Sequence, residues 1–290
     1  MSNDERKLVA NLDTNLRANT RPRDLQSELD ALIQEYAPQD KVSYVVARLL
    51  PQGGIEYICA HKAADVHASA SMIKVLIMAT LFHQARVGRL KLDEVVGLHE
   101  MPCVTGGGAL QELIGPHEFT YVELCRLMMV LSDNWATNLL IHRLGFDTIN
   151  EYAQSLGLKQ TRLERLMMDF EARKLGRENK MTVDDLITLY ETLYLYREEP
   201  RIGAEMWQIL GRQQFRDKLP FYWDEEQVFY HKTGSLDDVE HDGGLLPLGS
   251  QMYGIGVFIS NVPNAVGINL GALLGRTIKL YLELDAIDKK

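Results

Sequence analysis

Three short stretches of this chain hold residues suited to acyl transfer. In Ser71-Met72-Ile73-Lys74 a hydroxyl and an amine stand three residues apart, which on a helix puts both on one face. A serine hydroxyl is a weak nucleophile at neutral pH and needs a base. A lysine desolvated by apolar neighbours gives up its proton more readily and can be that base. Ser132-Asp133-Asn134 interrupts a helical run between Leu131 and Trp135. One reading is a cap that stops one helix and starts the next. The other makes Ser132 a hydroxyl that passes a proton to a leaving group, and Asn134 an amide that fixes a lysine or a substrate carbonyl. Lys232-Thr233-Gly234-Ser235 follows the β-forming Val228-Phe229-Tyr230-His231. It is either a strand edge running into a turn or a substrate contact. As a contact, Lys232 brings positive charge, Thr233 and Ser235 present hydroxyls to an anionic substrate, and Gly234 admits close backbone approach. The backbone N–H groups of Ser71 and Ser235 would then form an oxyanion hole.

The elements that must hold these residues are legible in the hydropathy pattern. Leu25, Leu29, Leu32, Ile33 and Tyr36 recur at helical spacing, which predicts an amphipathic helix over 24–37. The β-formers of 41–50, the turn Pro51-Gln52-Gly53-Gly54 and the run 55–60 predict a hairpin. From 71 to about 212 the pattern is helical: a helix from Ser71 to about Val87, one over 121–131 capped by Thr120, and others near 134–143, 147–156, 182–196 and 203–212. Gly106-Gly107-Gly108 marks a loop. The charged stretch 161–180 does not read as a packed helix. Strands return at 228–236, 244–248 and 253–260, and an amphipathic helix closes the chain. Strands at both ends flank a helical insertion, which gives an α+β chain of two lobes. The expected division is a discontinuous α/β lobe of 25–66 and 213–290, a helical lobe of 67–212 and an N-terminal arm of 1–24. Clefts between lobes are where ligand sites form.

Composition excludes several functions. The net charge of −9 and the lack of a basic run argue against nucleic acid or a membrane surface as partner. No stretch has the length of a membrane-spanning helix. Met1 to Lys7 lacks the apolar core of a signal peptide, so the expectation is a cytoplasmic protein, or a secreted or periplasmic one whose signal has been removed. Cys59, Cys103 and Cys125 form neither a disulfide framework nor a metal spacing. The eight histidines include no His-Glu-x-x-His. No metal and no cofactor is expected.

Ser-x-x-Lys, Ser-Asp-Asn and Lys-Thr-Gly, in this order and at these spacings, resemble the motif set of class A β-lactamases and penicillin-binding proteins. The resemblance spans about 25 to 285. It implies an antiparallel five-stranded sheet flanked by helices, with an all-helical lobe. It also implies Ser71 as the acylated nucleophile, Lys74 as base and Ser132 as proton shuttle. Asn134 would contact substrate and lysine, and Lys232, Thr233 and Ser235 would bind a substrate carboxylate. The implied substrate is a small molecule or peptide with a β-lactam, amide or ester bond, and the implied state is a monomer. Two departures stand out. Class A enzymes activate the deacylating water with a loop glutamate in an arginine-x-glutamate pattern; here Arg165-Leu166-Met167 puts a methionine there, and a thioether takes no proton from water. After Lys232 the chain carries Asp237, Asp238, Glu240 and Asp242 and no arginine before Ser260; this acidic group is either a solvated turn or a bias toward a cationic or peptidic substrate. Met78 stands where some relatives carry the cysteine that pairs with the equivalent of Cys125, so no disulfide is expected. Three functions follow: an acyl-enzyme-forming hydrolase with slow deacylation, a D,D-peptidase-like or esterase activity, and a penicillin-binding sensor or non-catalytic binding module.

Overall fold

Residues 24–200 and 202–288 are described by the computed structural model; the expected arm of 1–24 lies, save Asp24, outside them. The first helix, α1 (Leu25–Tyr36), buries Leu25, Leu29, Leu32 and Ile33, the stripe its spacing predicts. β1 (Val42–Leu49) and β2 (Ile55–His61) form the expected hairpin. After the helical segments the chain returns as β7 (Tyr230–Leu236), β8 (Val239–Leu248) and β9 (Gln251–Ser260), and α9 (Asn264–Asp288) ends it. The five strands make one antiparallel sheet in the order β2-β1-β9-β8-β7. Among the described residues β7 is therefore an edge strand, with a row of backbone groups facing no further strand.

Side-chain alternation gives each face of the sheet its own core. Val42, Tyr44 and Val46 of β1, with Tyr253, Ile255 and Val257 of β9, pack under α1 and α9. Val45, Ala47, Leu49 and Phe258 face the helical segments. On that second face the strands thin to glycine where α7 (Val183–Leu195) crosses. A Cβ on Gly256 would stand 2.7 Å from Val183 Cγ1, and one on Gly243 2.6 Å from Leu186 Cδ2. Glycine here lets the helix lie close on the sheet.

At the centre of the helical part runs α2 (Ile73–Arg86). Every residue from Ile73 to Phe82 is buried, including Lys74 and Thr80. A helix apolar on all sides must be surrounded, and α3 (Tyr121–Val130), α4 (Asn134–Leu144) and α5 (Phe146–Ser155) contribute to the same core. Thr120 caps α3 in a capping box with Glu123, as its position predicts. The 161–180 stretch holds the short α6 (Phe170–Lys174), an isolated bridge of Arg162 to Lys180, and the start of one strand of the two-residue pair β3 (His67–Ala68) and β6 (Lys180–Met181); a second small pair, β4 (Val95–Gly97) and β5 (Glu118–Thr120), precedes α3.

One strand boundary differs from expectation. β8 begins at Val239, five residues before the expected start, so Glu240 and Asp242 are not a solvated turn or an acidic surface group. Both are buried in β8, opposite Ser235 and Thr233 of β7. Only Asp237 and Asp238 remain exposed in the turn. Cys59, Cys103 and Cys125 are free thiols.

Candidate active site

The apolar sequence around Lys74 sets the chemistry of the site. Ser71 sits in a 3-10 turn, Ala70–Met72, that leads straight into α2. Ala70, just before it, holds a left-handed φ of 46°, a conformation that costs energy in a non-glycine residue and clusters at functional sites. Lys74 follows one turn later and is fully enclosed. Its Nζ donates to Ser132 O at 2.7 Å, Ser132 Oγ at 3.1 Å and Asn134 Oδ1 at 2.9 Å. Burial lowers its pKa to about 7, although the Asp133 carboxylate opposes the shift. At neutral pH a substantial share of Lys74 is therefore a free amine with an available lone pair.

Ser132-Asp133-Asn134 supplies a helix cap and two residues of a cleft wall. Asp133 is the N-cap of α4, accepting from Ala136 N at 2.9 Å. Its other oxygen accepts from Ala109 N at 2.7 Å and Leu110 N at 2.8 Å, so it also ties down the segment after Gly106-Gly107-Gly108. With Asp133 fixed inward, Ser132 takes a left-handed φ of 56°. Its hydroxyl lies between two lysines: Lys232 Nζ stands 3.2 Å from Ser132 Oγ. Lys232 is also fully buried and donates to Thr233 O at 2.7 Å. Burial, then the nearby charges of Lys74 and Lys218, hold its pKa well below the ordinary lysine value.

Strand β7 closes the site. A Cβ on Gly234 would stand 3.1 Å from both Ser71 N and Ala70 Cβ, so the glycine admits the serine turn against the strand. Ser71, Ser132, Asn134, Thr233 and Ser235 line one cleft of about 580 Å³. Lys74 and Lys232 reach it through Ser132. Behind the serine turn, His241 accepts from Ile259 N at 3.1 Å through Nδ1, which leaves Nε2 to donate to Ala68 O at 2.9 Å. Burial lowers the His241 pKa to about 3, so this ring stays neutral and holds β3 in place.

The loop carrying Met167 is built from internal bonds. Asn179 Oδ1 accepts from Glu164 N at 2.7 Å and Arg165 N at 3.0 Å, and Arg165 pairs with Glu178 at 2.7 Å. Met167 is buried, and both it and Met168 line the cleft.

Sequence reasoning singled out neither Lys218 nor its cleft neighbours Asp217 and Asn264. Lys218, from the segment between α8 (Gly203–Leu210) and β7, lines the cleft with its Nζ 3.3 Å from Ser235 Oγ. Ser235 itself differs from expectation: it donates its hydroxyl proton to Glu240 Oε2 at 2.7 Å. The turn Asp237-Asp238 was the available signal. A two-residue loop there pairs Glu240 with Ser235.

A family model described as "Beta-lactamase enzyme family" matches residues 24–282. The chain belongs to that family. Among curated members, the β-lactamase CARB-4 of Pseudomonas aeruginosa is 25% identical over 161 residues, 53% of this chain and 56% of that protein. The chain thus matches little more than half the length of such relatives. Among solved members of the fold, PBP-A superposes with a TM-score of 0.75 at 24% identity, covering 90% of this chain and 97% of that one. A β-lactamase from Sphaerobacter thermophilus superposes with a TM-score of 0.74 at 25% identity, covering 87% and 95%. The five-stranded antiparallel sheet and helical lobe are the β-lactamase/transpeptidase architecture, as the sequence motifs imply.

Proposed function

We propose that this protein is a serine acyl hydrolase that forms an acyl-enzyme on Ser71 and releases it slowly. The observation that carries the reading is the position of Ser132 Oγ, 3.1 Å from Lys74 Nζ and 3.2 Å from Lys232 Nζ, in the cleft that Ser71 lines. Ser71 Oγ attacks a β-lactam, amide or ester carbonyl, and its proton passes to the free amine of Lys74. The oxyanion forms against the backbone N–H groups of Ser71 and Ser235, a reading supported by the close fit of Gly234 against Ser71 N. Ser132 gives its proton to the leaving group and regains one from the lysines beside it. Asn134 accepts from Lys74 and positions it. The product of this half-reaction is the Ser71 ester; an amide or ester substrate releases its amine or alcohol, whereas a β-lactam keeps its ring amine, now protonated, tethered to the acyl group.

Hydrolysis of that ester needs a base for water. Met167 stands in the loop where the family carries its glutamate, and its thioether accepts no proton. Water activation falls to Lys74 through Ser132, a base already committed to acylation. This favours a penicillin-binding or peptidase-like enzyme over an efficient β-lactamase. PBP-A, a neighbour in fold alone, was captured as a mutant in an acyl-enzyme complex with penicillin G, which makes penicillin a suitable probe here.

The test is intact mass over time with a penicillin, using Ser71→Ala as control. A persistent adduct on the wild type alone is expected. Rapid penicillin loss without an adduct would overturn slow release. An adduct that survives Ser71→Ala would overturn the nucleophile.

A further inference from the structure

The acyl-transfer chemistry makes no use of the charges around Ser235. Glu240 is almost fully enclosed in β8, yet both its oxygens are satisfied by the protein. Oε2 accepts from Ser235 Oγ at 2.7 Å and pairs with Lys218 Nζ at 3.0 Å; Oε1 accepts from Asn264 Nδ2 at 2.6 Å. Asn264 is itself held, with Nδ2 also donating to Leu236 O at 2.8 Å and Oδ1 accepting from Asp238 N at 3.1 Å. Lys218 has a second carboxylate, Asp217 Oδ1 at 3.4 Å.

Three consequences follow for whatever occupies this end of the cleft. A hydroxyl has one proton, and that of Ser235 is committed to Glu240 while its oxygen accepts from Lys218 Nζ at 3.3 Å, so toward the cleft Ser235 offers only its remaining lone pair. The charge of Lys218 is cancelled by Glu240, while Asp217 and Asp237 line the same cleft and leave an excess of negative charge. The arginines of the cleft wall, Arg165 and Arg173, both pair with Glu178, at 2.7 and 3.0 Å. Lys218 remains charged: burial acts against it, but Asp217, Glu240 and Asp242 together raise its pKa. Beside the Thr233 hydroxyl, an anionic group arriving here would meet a matched ion pair, the half-exposed carboxylate of Asp217 and the exposed one of Asp237. An N–H donor would meet unused acceptors.

We infer that the Ser235–Glu240–Lys218 cluster selects an acyl substrate carrying an N–H donor, a primary amide or ammonium, where a carboxylate would otherwise bind. This rests on the acyl-enzyme reading above and names its substrate class. Glu240 acts as a positioning residue, through Ser235 and Lys218.

Two phenylacetylglycyl thioesters, of mercaptoacetate and of mercaptoacetamide, differ only in carboxylate against amide on the leaving group. Wild type should favour the amide in kcat/KM by about tenfold or more, because acceptors and carboxylates at this end of the cleft favour a group that can donate over one that cannot. Glu240→Gln frees both the Ser235 proton and the Lys218 charge, so the ratio should collapse or invert. Lys218→Gln leaves Glu240 uncompensated, so the amide preference should deepen; this second variant separates charge from folding damage. Turnover of both esters with the carboxylate preferred, or a ratio unmoved by either variant, would overturn the inference alone. No Ser71-dependent turnover of either ester would sink the acyl-enzyme reading and this inference with it.

Discussion

Asn138 grips Met167 by both of its backbone polar groups: Nδ2 donates to Met167 O at 3.2 Å, and Oδ1 accepts from Met167 N at 2.8 Å. The backbone at 167 is thus fixed whatever side chain it carries, and that side chain borders the cleft. Met167→Glu should therefore place a carboxylate at the site without rebuilding the loop. Deacylation of a penicilloyl adduct should quicken by about 10²-fold, the usual scale of a positioned general base. Decay of the adduct in intact mass spectra measures it, and an unchanged half-life would refute the placement of the loop.

The pH dependence of acylation follows from Lys74. Its pKa is lowered to about 7 by burial, and in the proposed mechanism the reactive form is the unprotonated amine. The acylation rate should rise with pH through about 7 and level off above it. Lys74→Arg, which stays protonated throughout, should remove the rise and nearly all of the activity. A stopped-flow profile of kcat/KM from pH 5 to 9 decides the point; a flat profile would exclude Lys74 as base.

Asp133 links stability to that titration. Asp133→Ala deprives Ala109 N, Leu110 N and Ala136 N of their acceptor. The loss of a cap and two further buried partners should cost about 3 kcal/mol or more, read from urea unfolding. The Asp133 charge also supports protonated Lys74, so in the variant the rise of the acylation profile should move to lower pH.

Gly256 tests the seating of α7 on the sheet. Gly256→Ala puts a Cβ 2.7 Å from Val183 Cγ1, an overpacking worth about 1–3 kcal/mol. Thermal unfolding should register the loss, while the acylation rate of the folded protein stays as in wild type.

The loop of Met167 depends on Arg165. Its side chain is buried and bonds Glu178 through Nε at 2.8 Å and also Leu166 O at 3.1 Å. Arg165→Ala leaves Glu178 with the more exposed Arg173 as its charged partner. Proteolytic cleavage within 161–180 should become faster by at least about tenfold, because local opening becomes easier. Equal cleavage rates in the two proteins would contradict this.

Much of the molecule could be read from residue order. The apolar run Val75–Phe82 around a single lysine foretold a surrounded helix, and with it a desolvated amine. Thr120 with Glu123 announced a helix start by a purely local bond. The three motifs stood out because acyl transfer demands a nucleophile, a base and a proton relay, and few residue types can serve.

What the sequence could not decide was the partnership of its buried charges. Glu240 and Asp242 look like surface residues when read in line, because isolated carboxylates are costly to bury. They are buried because β8 sets Glu240 opposite Ser235 and brings it to Lys218 and Asn264, while Asp242 accepts from Leu219 N at 3.1 Å and pairs with His231 at 2.8 Å. Lys74, Ser132 and Lys232 likewise carry no chemistry alone; the fold puts one hydroxyl between two amines. Local order fixes helix starts and turns, since those bonds join neighbours in the chain. Charge compensation joins distant residues, so only the folded chain decides it.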